Sequence, residues 1–195
     1  MDAATFGERS GRAAVGLLLV QLVLGYEWLV SGLTKLVHGD FVSGLAAELA
    51  EIGGRAPGWY RGFLADTVEP HAAVFGYAVE LGELLVGLAF VGAAVALLAG
   101  RRRLPARLER GLRLATGAAA LAGLAMVVAF ALANGSRFGL PLAADSFDEG
   151  VDLDTLMIGL QLAVLASAAP ALRRPAPARV RLPHATRLHA LGGSR

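Results

Sequence analysis

Residues 76–90 read GYAVELGELLVGLAF and place two carboxylates, Glu80 and Glu83, inside an otherwise apolar segment. The apolar run extends over residues 72–99, and roughly 20 apolar residues are enough to cross a bilayer. A charged carboxylate at the centre of a bilayer costs at least about 2.5 kcal/mol, so such side chains normally face the interior of a helix bundle. We therefore predict a membrane-spanning helix whose two acids face other helices.

The composition of the chain predicts a helical membrane protein. The 195 residues are 55% hydrophobic and 17% charged, which is too apolar for a soluble domain, and the chain is too long for a single span. Apolar runs of spanning length occupy residues 13–37, 72–99, 112–133 and 153–171. We predict an all-α, polytopic four-transmembrane-helix bundle in residues 1–172, followed by a basic, disordered cytoplasmic tail in residues 173–195.

The distribution of charge predicts the orientation in the membrane. Fourteen of the 18 basic residues lie at the two termini and in residues 101–113, whereas ten of the 16 acids lie in the other two connections. The positive-inside rule then places both termini in the cytoplasm. We expect a multi-pass protein of the plasma membrane. Arg9 and Arg12 precede the first apolar run as in a signal peptide, but no A-x-A cleavage site follows, so we expect a retained span. The basic balance reflects this topology, and we expect no nucleic-acid partner.

The first exterior segment, residues 37–71, contains a second helical pattern. Apolar residues recur at helical spacing, which predicts a short interfacial helix on the outer membrane surface; they are Phe41, Leu45, Leu49 and Ile52. Trp59, Tyr60 and Phe63 follow as expected interfacial anchors. This segment could cap the outer end of the bundle or serve only as an anchoring loop.

Glu80 and Glu83 are three residues apart and therefore share one face of their helix. Gly76 and Gly87 extend that face in four-residue steps, so another group can approach it closely. Two like charges this close disfavour double ionisation, so we expect one of the two to hold its proton. The pair is then a candidate proton donor and acceptor.

Polar residues of other helices are predicted at a similar depth. Glu27 lies in the first span and Gln161 in the fourth, and the ammonium of Lys35 could pair with a carboxylate. The candidate catalytic residues are Glu83, Glu80, Glu27 and Lys35, and the candidate cofactor-binding residues are Gly76, Gly87, Gln161, Ser31 and Trp28. The alternative is that these groups only hydrogen-bond the helices to one another.

Several cofactors are disfavoured by the sequence. The chain has no cysteine, which excludes disulfides, iron–sulfur clusters, thiolate nucleophiles and covalent c-type haem. Zinc-ligand spacing and nucleotide-binding motifs are also missing, so we expect no metal site. His38 and His71 flank the first two spans, and they would have to face each other to hold a b-type haem, which we do not expect.

Short motifs in the first two spans resemble those of the DoxX/DoxD-like membrane proteins. The motifs are LLLVQLVLG at residues 17–25, GLTKL at 32–36 and GELLVGL at 82–88. This family includes the membrane subunit of thiosulfate:quinone oxidoreductase, and members commonly have Arg where this chain has Gln21. The resemblance implies a four-helix membrane bundle that delivers electrons to a quinone. Its motif positions here are Gly25, Gly32, Lys35, Glu83 and Gly87.

The resulting hypothesis is a quinone-interacting membrane subunit of an oxidoreductase system. Quinone is the expected cofactor, and electrons would come from a small reductant or from a partner subunit on the acidic exterior face. The alternative from another class is a non-catalytic scaffold or assembly subunit of a larger respiratory or redox complex. A solute or proton carrier is less favoured, because inverted repeats and Pro-broken helices are not evident.

Overall fold

A computed structural model describes residues 3–100, 104–136 and 153–172, with side chains in 13–100, 104–136 and 153–169. Within these ranges the chain forms six α-helices and no strand. They are α1 (Ala3–His38), α2 (Phe41–Ile52), α3 (Gly58–Phe63), α4 (Ala72–Ala99), α5 (Ala106–Asn134) and α6 (Leu153–Leu172). Short turns of 3₁₀ and π-helix join α2, α3 and α4 into an almost continuous helical path. The predicted tail, residues 173–195, lies outside the described residues.

The described helices are those of a helical membrane protein. Three helical segments are long and apolar enough to cross a membrane, namely Ala13–His38, Gly58–Ala99 and Ala106–Asn134. The fourth apolar segment, Leu153–Ala169, is shorter. The all-α class is therefore confirmed, together with three helices of spanning length.

Helices α1 and α4 are antiparallel and pack with their backbones in direct contact. A Cβ atom added to Gly87 would lie 2.7 Å from the backbone nitrogen of Leu29, and one added to Gly32 would lie 3.0 Å from that of Leu84. Gly25 is equally close to Phe90 and Val91 of α4. Glycines in both helices permit this approach, because any side chain would separate the two axes.

One apolar core joins the four long helices. Its buried residues are Leu24, Trp28, Val86, Phe90, Ala119, Ala120, Val127, Met157 and Val164. Small residues on α5 bring that helix close to its neighbours, whereas Phe90 and Leu24 fill the space between them. This core holds α1, α4, α5 and α6 together as one bundle.

Residues 41–68, hereafter the cap, fold over one end of the bundle. The turn between α1 and α2 is made at Gly39, whose φ of +71° favours glycine. Helix α2 covers the residues where the sequence predicts a short helix, and Val42 packs on Gly76 of α4. The cap contributes a second buried cluster that includes Leu49, Tyr60, Leu64 and Val68, together with Ala133 of α5.

The aromatic residues of α3 divide into two roles. Trp59 and Phe63 are exposed, as expected for anchors, but Tyr60 is buried and its hydroxyl donates a hydrogen bond to the Ala129 carbonyl at 3.1 Å. Tyr60 therefore connects the cap to α5, because its ring lies on the buried side of α3, whereas Trp59 and Phe63 are exposed. The Arg61 guanidinium donates to three backbone carbonyls of the preceding turn and fixes that part of the cap.

Candidate functional site

The centre of the candidate site is an ion pair between α1 and α4. The Lys35 ammonium donates to both carboxylate oxygens of Glu83, at 2.9 and 2.8 Å, and to the Ser31 hydroxyl at 2.8 Å. The Glu83 side chain is only 1% exposed, whereas that of Lys35 is 22% exposed. Gly32 lies against Glu83 and lets the two helices approach closely enough for this pair to form. Glu83, the acid at a motif position of the DoxX/DoxD-like resemblance, is thus the acid that pairs with Lys35.

A cavity of about 420 Å³ lies between the cap and the bundle. Lys35 is part of its wall, and the ammonium lies 5.1 Å from the centre of the Phe41 ring. Most of the wall is apolar. It is formed by helices α2 and α3 of the cap, by the first turns of α4 and by the end of α5. Apolar lining residues include Leu45, Leu49, Phe75, Val79, Phe130 and Ala133. The site therefore combines a mostly apolar chamber, whose wall also includes Glu48 and Asn134, with a cationic side chain that is held by a buried carboxylate.

Glu80 lies one helical turn from Glu83, on the side nearer the cap. It is buried, and within the described part of the chain it has no hydrogen-bond or ion-pair partner. Glu80 also does not line the cavity. It therefore lies beside the Lys35–Glu83 pair as a second buried acid of α4, and the expectation that one of the two acids holds its proton stays a prediction from the sequence.

The two other glycines of the α4 face are occupied by neighbouring helices of the same chain. Leu29 of α1 packs on Gly87, and Val42 of α2 packs on Gly76. Neither glycine lines the cavity. The close approach that the glycine spacing predicts is therefore made by protein helices, which fix the positions of Lys35 and Glu83.

Glu27 is separate from this group. It is exposed on α1 and, among the described residues, has no partner, although the sequence placed it at the same depth as the other acids. Helical geometry explains the difference, because Glu27 lies two residues from both Gly25 and Leu29 and so on the side of α1 away from α4. The structure brings together Lys35, Glu83 and Ser31, and leaves Glu27 outside.

Trp28 and Gln161 are buried in the bundle core, away from the cavity wall. The Trp28 indole nitrogen and both amide atoms of Gln161 have no hydrogen-bond partner in the described structure. The Gln161 amide packs directly on Gly123 of α5, where a Cβ atom would overlap it. Both residues thus contribute to helix packing, and neither is hydrogen-bonded to the Lys35–Glu83 pair in the described structure.

Two features of the site are missing from the sequence prediction. Gln21 is buried and its amide donates to the Phe90 carbonyl at 2.9 Å and to the Thr116 hydroxyl at 3.2 Å, which joins three helices. The cavity wall on α4 is formed by Phe75 and Val79. These two residues are four apart and lie next to the glycine face, so their spacing could have predicted a shared apolar surface.

The two histidines, His38 and His71, are both exposed, and His71 is hydrogen-bonded to the Thr67 carbonyl.

No family model, no curated protein and no solved structure matches this chain. The resemblance to DoxX/DoxD-like proteins therefore stays a prediction from the motifs of α1 and α4.

Proposed function

We propose that this chain is a quinone-interacting membrane subunit of an oxidoreductase system, similar to the membrane subunit of thiosulfate:quinone oxidoreductase. It would pass electrons from a small reductant, or from a partner protein on the acidic exterior face, to a membrane quinone. The observation that carries the proposal is the cavity of about 420 Å³ with Lys35 in its wall and Glu83 behind Lys35.

The size and chemistry of the cavity fit a quinone ring. Ligand pockets commonly enclose about 300–1,000 Å³ and combine apolar walls with a few polar groups. A quinone has a flat apolar ring and two carbonyl oxygens that accept hydrogen bonds. Phe41, Phe75 and Phe130 would contact the ring, and the Lys35 ammonium would donate to a carbonyl.

Reduction of a quinone to a quinol takes up two electrons and two protons, and the two acids of α4 are suited to supply protons. Glu83 or Glu80 would exchange these protons, and Glu83 is hydrogen-bonded to Lys35 of the cavity wall. The electrons would come from the reductant or partner, since the chain has no cysteine to hold an iron–sulfur cluster or a redox-active disulfide.

The topology that belongs to this function has four spans in the plasma membrane, both termini in the cytoplasm and the cap outside. Helix α6 has 20 residues, which at about 1.5 Å each gives roughly the 30 Å of a hydrocarbon core. In this orientation the cavity lies in the outer half of the bundle, where a quinone can enter from the lipid.

Quinone occupancy is tested by solvent extraction of the purified, membrane-reconstituted protein followed by absorbance measurement. The wild type should retain quinone, and Val79→Trp should lose it because the ring fills the cavity. Val74→Trp is the matched control, since Val74 is an exposed valine of the same helix that does not line the cavity. Wild-type protein without extractable quinone would favour the scaffold or assembly subunit.

The proton role is tested with Glu83→Gln, which keeps the size of the side chain and one acceptor oxygen for Lys35. We expect quinone reduction by the intact system to be abolished, while quinone still binds and the protein remains folded. Unchanged turnover would remove Glu83 from proton transfer.

A further inference from the structure

The face of α1 that points away from α4 has a regular pattern of exposed apolar residues. They follow one another at alternating steps of four and three residues and form what we call the α1 seam: Leu19, Val23, Tyr26, Val30, Leu33 and Val37. This is the heptad spacing at which two helices pack along a left-handed crossing.

Glu27 lies at the edge of this seam, near the middle of the apolar span Ala13–His38. Its carboxylate is exposed and has no partner within the described residues. An ionisable group facing lipid at that depth is costly, so Glu27 needs a hydrogen-bond donor from outside this bundle. Another transmembrane helix can bring such a donor to this depth, whereas the lipid core offers none.

Tyr26 provides the matching donor on the same surface. Its side chain is exposed in the seam, and its hydroxyl likewise has no partner in the described structure. The seam therefore presents a donor and an acceptor in adjacent positions at one depth. Two copies in the same membrane orientation, related by a twofold axis along the membrane normal, bring Tyr26 of each copy towards Glu27 of the other.

We propose that the α1 seam is a homodimer interface in which two copies of this chain pack α1 against α1. Each Tyr26 hydroxyl donates a hydrogen bond to Glu27 of the opposite copy, so both groups are satisfied within the bilayer. The occupant is a second copy because the seam is complementary to itself. A different transmembrane protein would have to supply its own donor at this depth. The proposal is independent of quinone binding, since the cavity lies on other helix faces.

The chain has no cysteine, so single cysteines can report this contact without background. Val23→Cys and Val30→Cys place a thiol in the seam. Leu85→Cys is the control, because Leu85 is 66% exposed against 65% for Val23. Leu85 is also at a comparable depth, since its neighbours Glu83 and Gly87 lie against Gly32 and Leu29. Copper phenanthroline is added to native membranes, and the products are separated by mass under non-reducing conditions.

Both seam variants should form a disulfide-linked species of twice the 20.1 kDa chain mass, and Leu85→Cys should remain a single chain. Adding Glu27→Leu to Val30→Cys should lower the cross-linked fraction about three- to tenfold, because each copy loses one interhelical hydrogen bond. Glu27→Gln should restore it, because the amide oxygen also accepts from Tyr26.

Three results would overturn the proposal. One is the absence of a double-mass product from both seam variants in membranes that contain folded protein. The second is equal cross-linking at Leu85, which would indicate random collision. The third is cross-linking only to a species of another mass, which would assign the seam to a different protein. Native mass spectrometry of the wild type from lipid nanodiscs checks the dimer without any substitution.

Discussion

At the residue scale, the Lys35–Glu83 pair dominates the energetics of the site. Removing the ammonium by Lys35→Met leaves an uncompensated carboxylate that is 99% buried by side-chain area, and we expect the free energy of unfolding to fall by about 3–5 kcal/mol. The double variant Lys35→Met with Glu83→Leu removes both charges and should recover most of that loss. Unfolding by SDS in mixed micelles, followed by circular dichroism, measures both values.

The control for this experiment is the Glu109–Arg113 pair of α5. Its N···O distance is also 2.8 Å, but both side chains are nearly half exposed. Solvent screens such a pair, so Arg113→Met should cost less than about 1 kcal/mol. Equal losses for Lys35→Met and Arg113→Met would contradict a buried, energetically coupled pair.

Gln161 presents the opposite case, a buried polar side chain that is unpaired in the described structure. A buried polar group without a partner costs about 1–3 kcal/mol, so Gln161→Leu should raise the free energy of unfolding by about 1 kcal/mol. Gly123→Ala should lower it, because the new methyl group overlaps the Gln161 amide. A destabilising Gln161→Leu would instead indicate a bound water molecule on the amide, and the same unfolding titration decides between the two.

At the scale of elements, the α1–α4 contact depends on glycine, and α4 itself contains a suitable control. Gly87→Ala places a Cβ atom 2.7 Å from a backbone nitrogen of α1, so we expect a loss of about 1–3 kcal/mol and a weakened Lys35–Glu83 pair. Gly92→Ala has open space around it and should be neutral or slightly stabilising through its helix propensity. Comparable losses from both variants would show that the two helices do not pack closely at Gly87.

The elements also show how much of the fold can be predicted from sequence. The apolar runs predict the bounds of α4 and the ends of α1 and α5 to within one residue, because apolar composition is a local feature. However, α1 and α5 begin ten and six residues before their apolar runs. The sequence also predicts that the Lys35 ammonium can pair with a carboxylate, and the structure identifies Glu83 as that carboxylate. The cavity could not be predicted, because it depends on how the cap folds back on α5 through Tyr60, a long-range contact without a local signal.

Glu27 shows a second limit of prediction from sequence. Depth along a helix can be counted from sequence, so the acids of α1 and α4 are predicted at one level. Whether Glu27 points towards α4 depends on which face of α1 contacts α4. That face contains Gly25, Gly32 and Leu29, and it is known only from the packing of α1 against α4 in the structure. Equal depth is therefore insufficient evidence for a shared site.

At the scale of the whole molecule, the proposed orientation and the number of spans can be tested together, because the chain lacks cysteine. Ser43→Cys places an exposed thiol on α2 in the cap, and Arg107→Cys places one at the start of α5. A membrane-impermeant maleimide should label Ser43→Cys in intact cells and Arg107→Cys only after permeabilisation, because positive charge near residue 107 favours the cytoplasm. Ser194→Cys then reports whether α6 crosses. With four spans it behaves like Arg107→Cys, whereas labelling of Ser194→Cys in intact cells would show that α6 does not span the membrane.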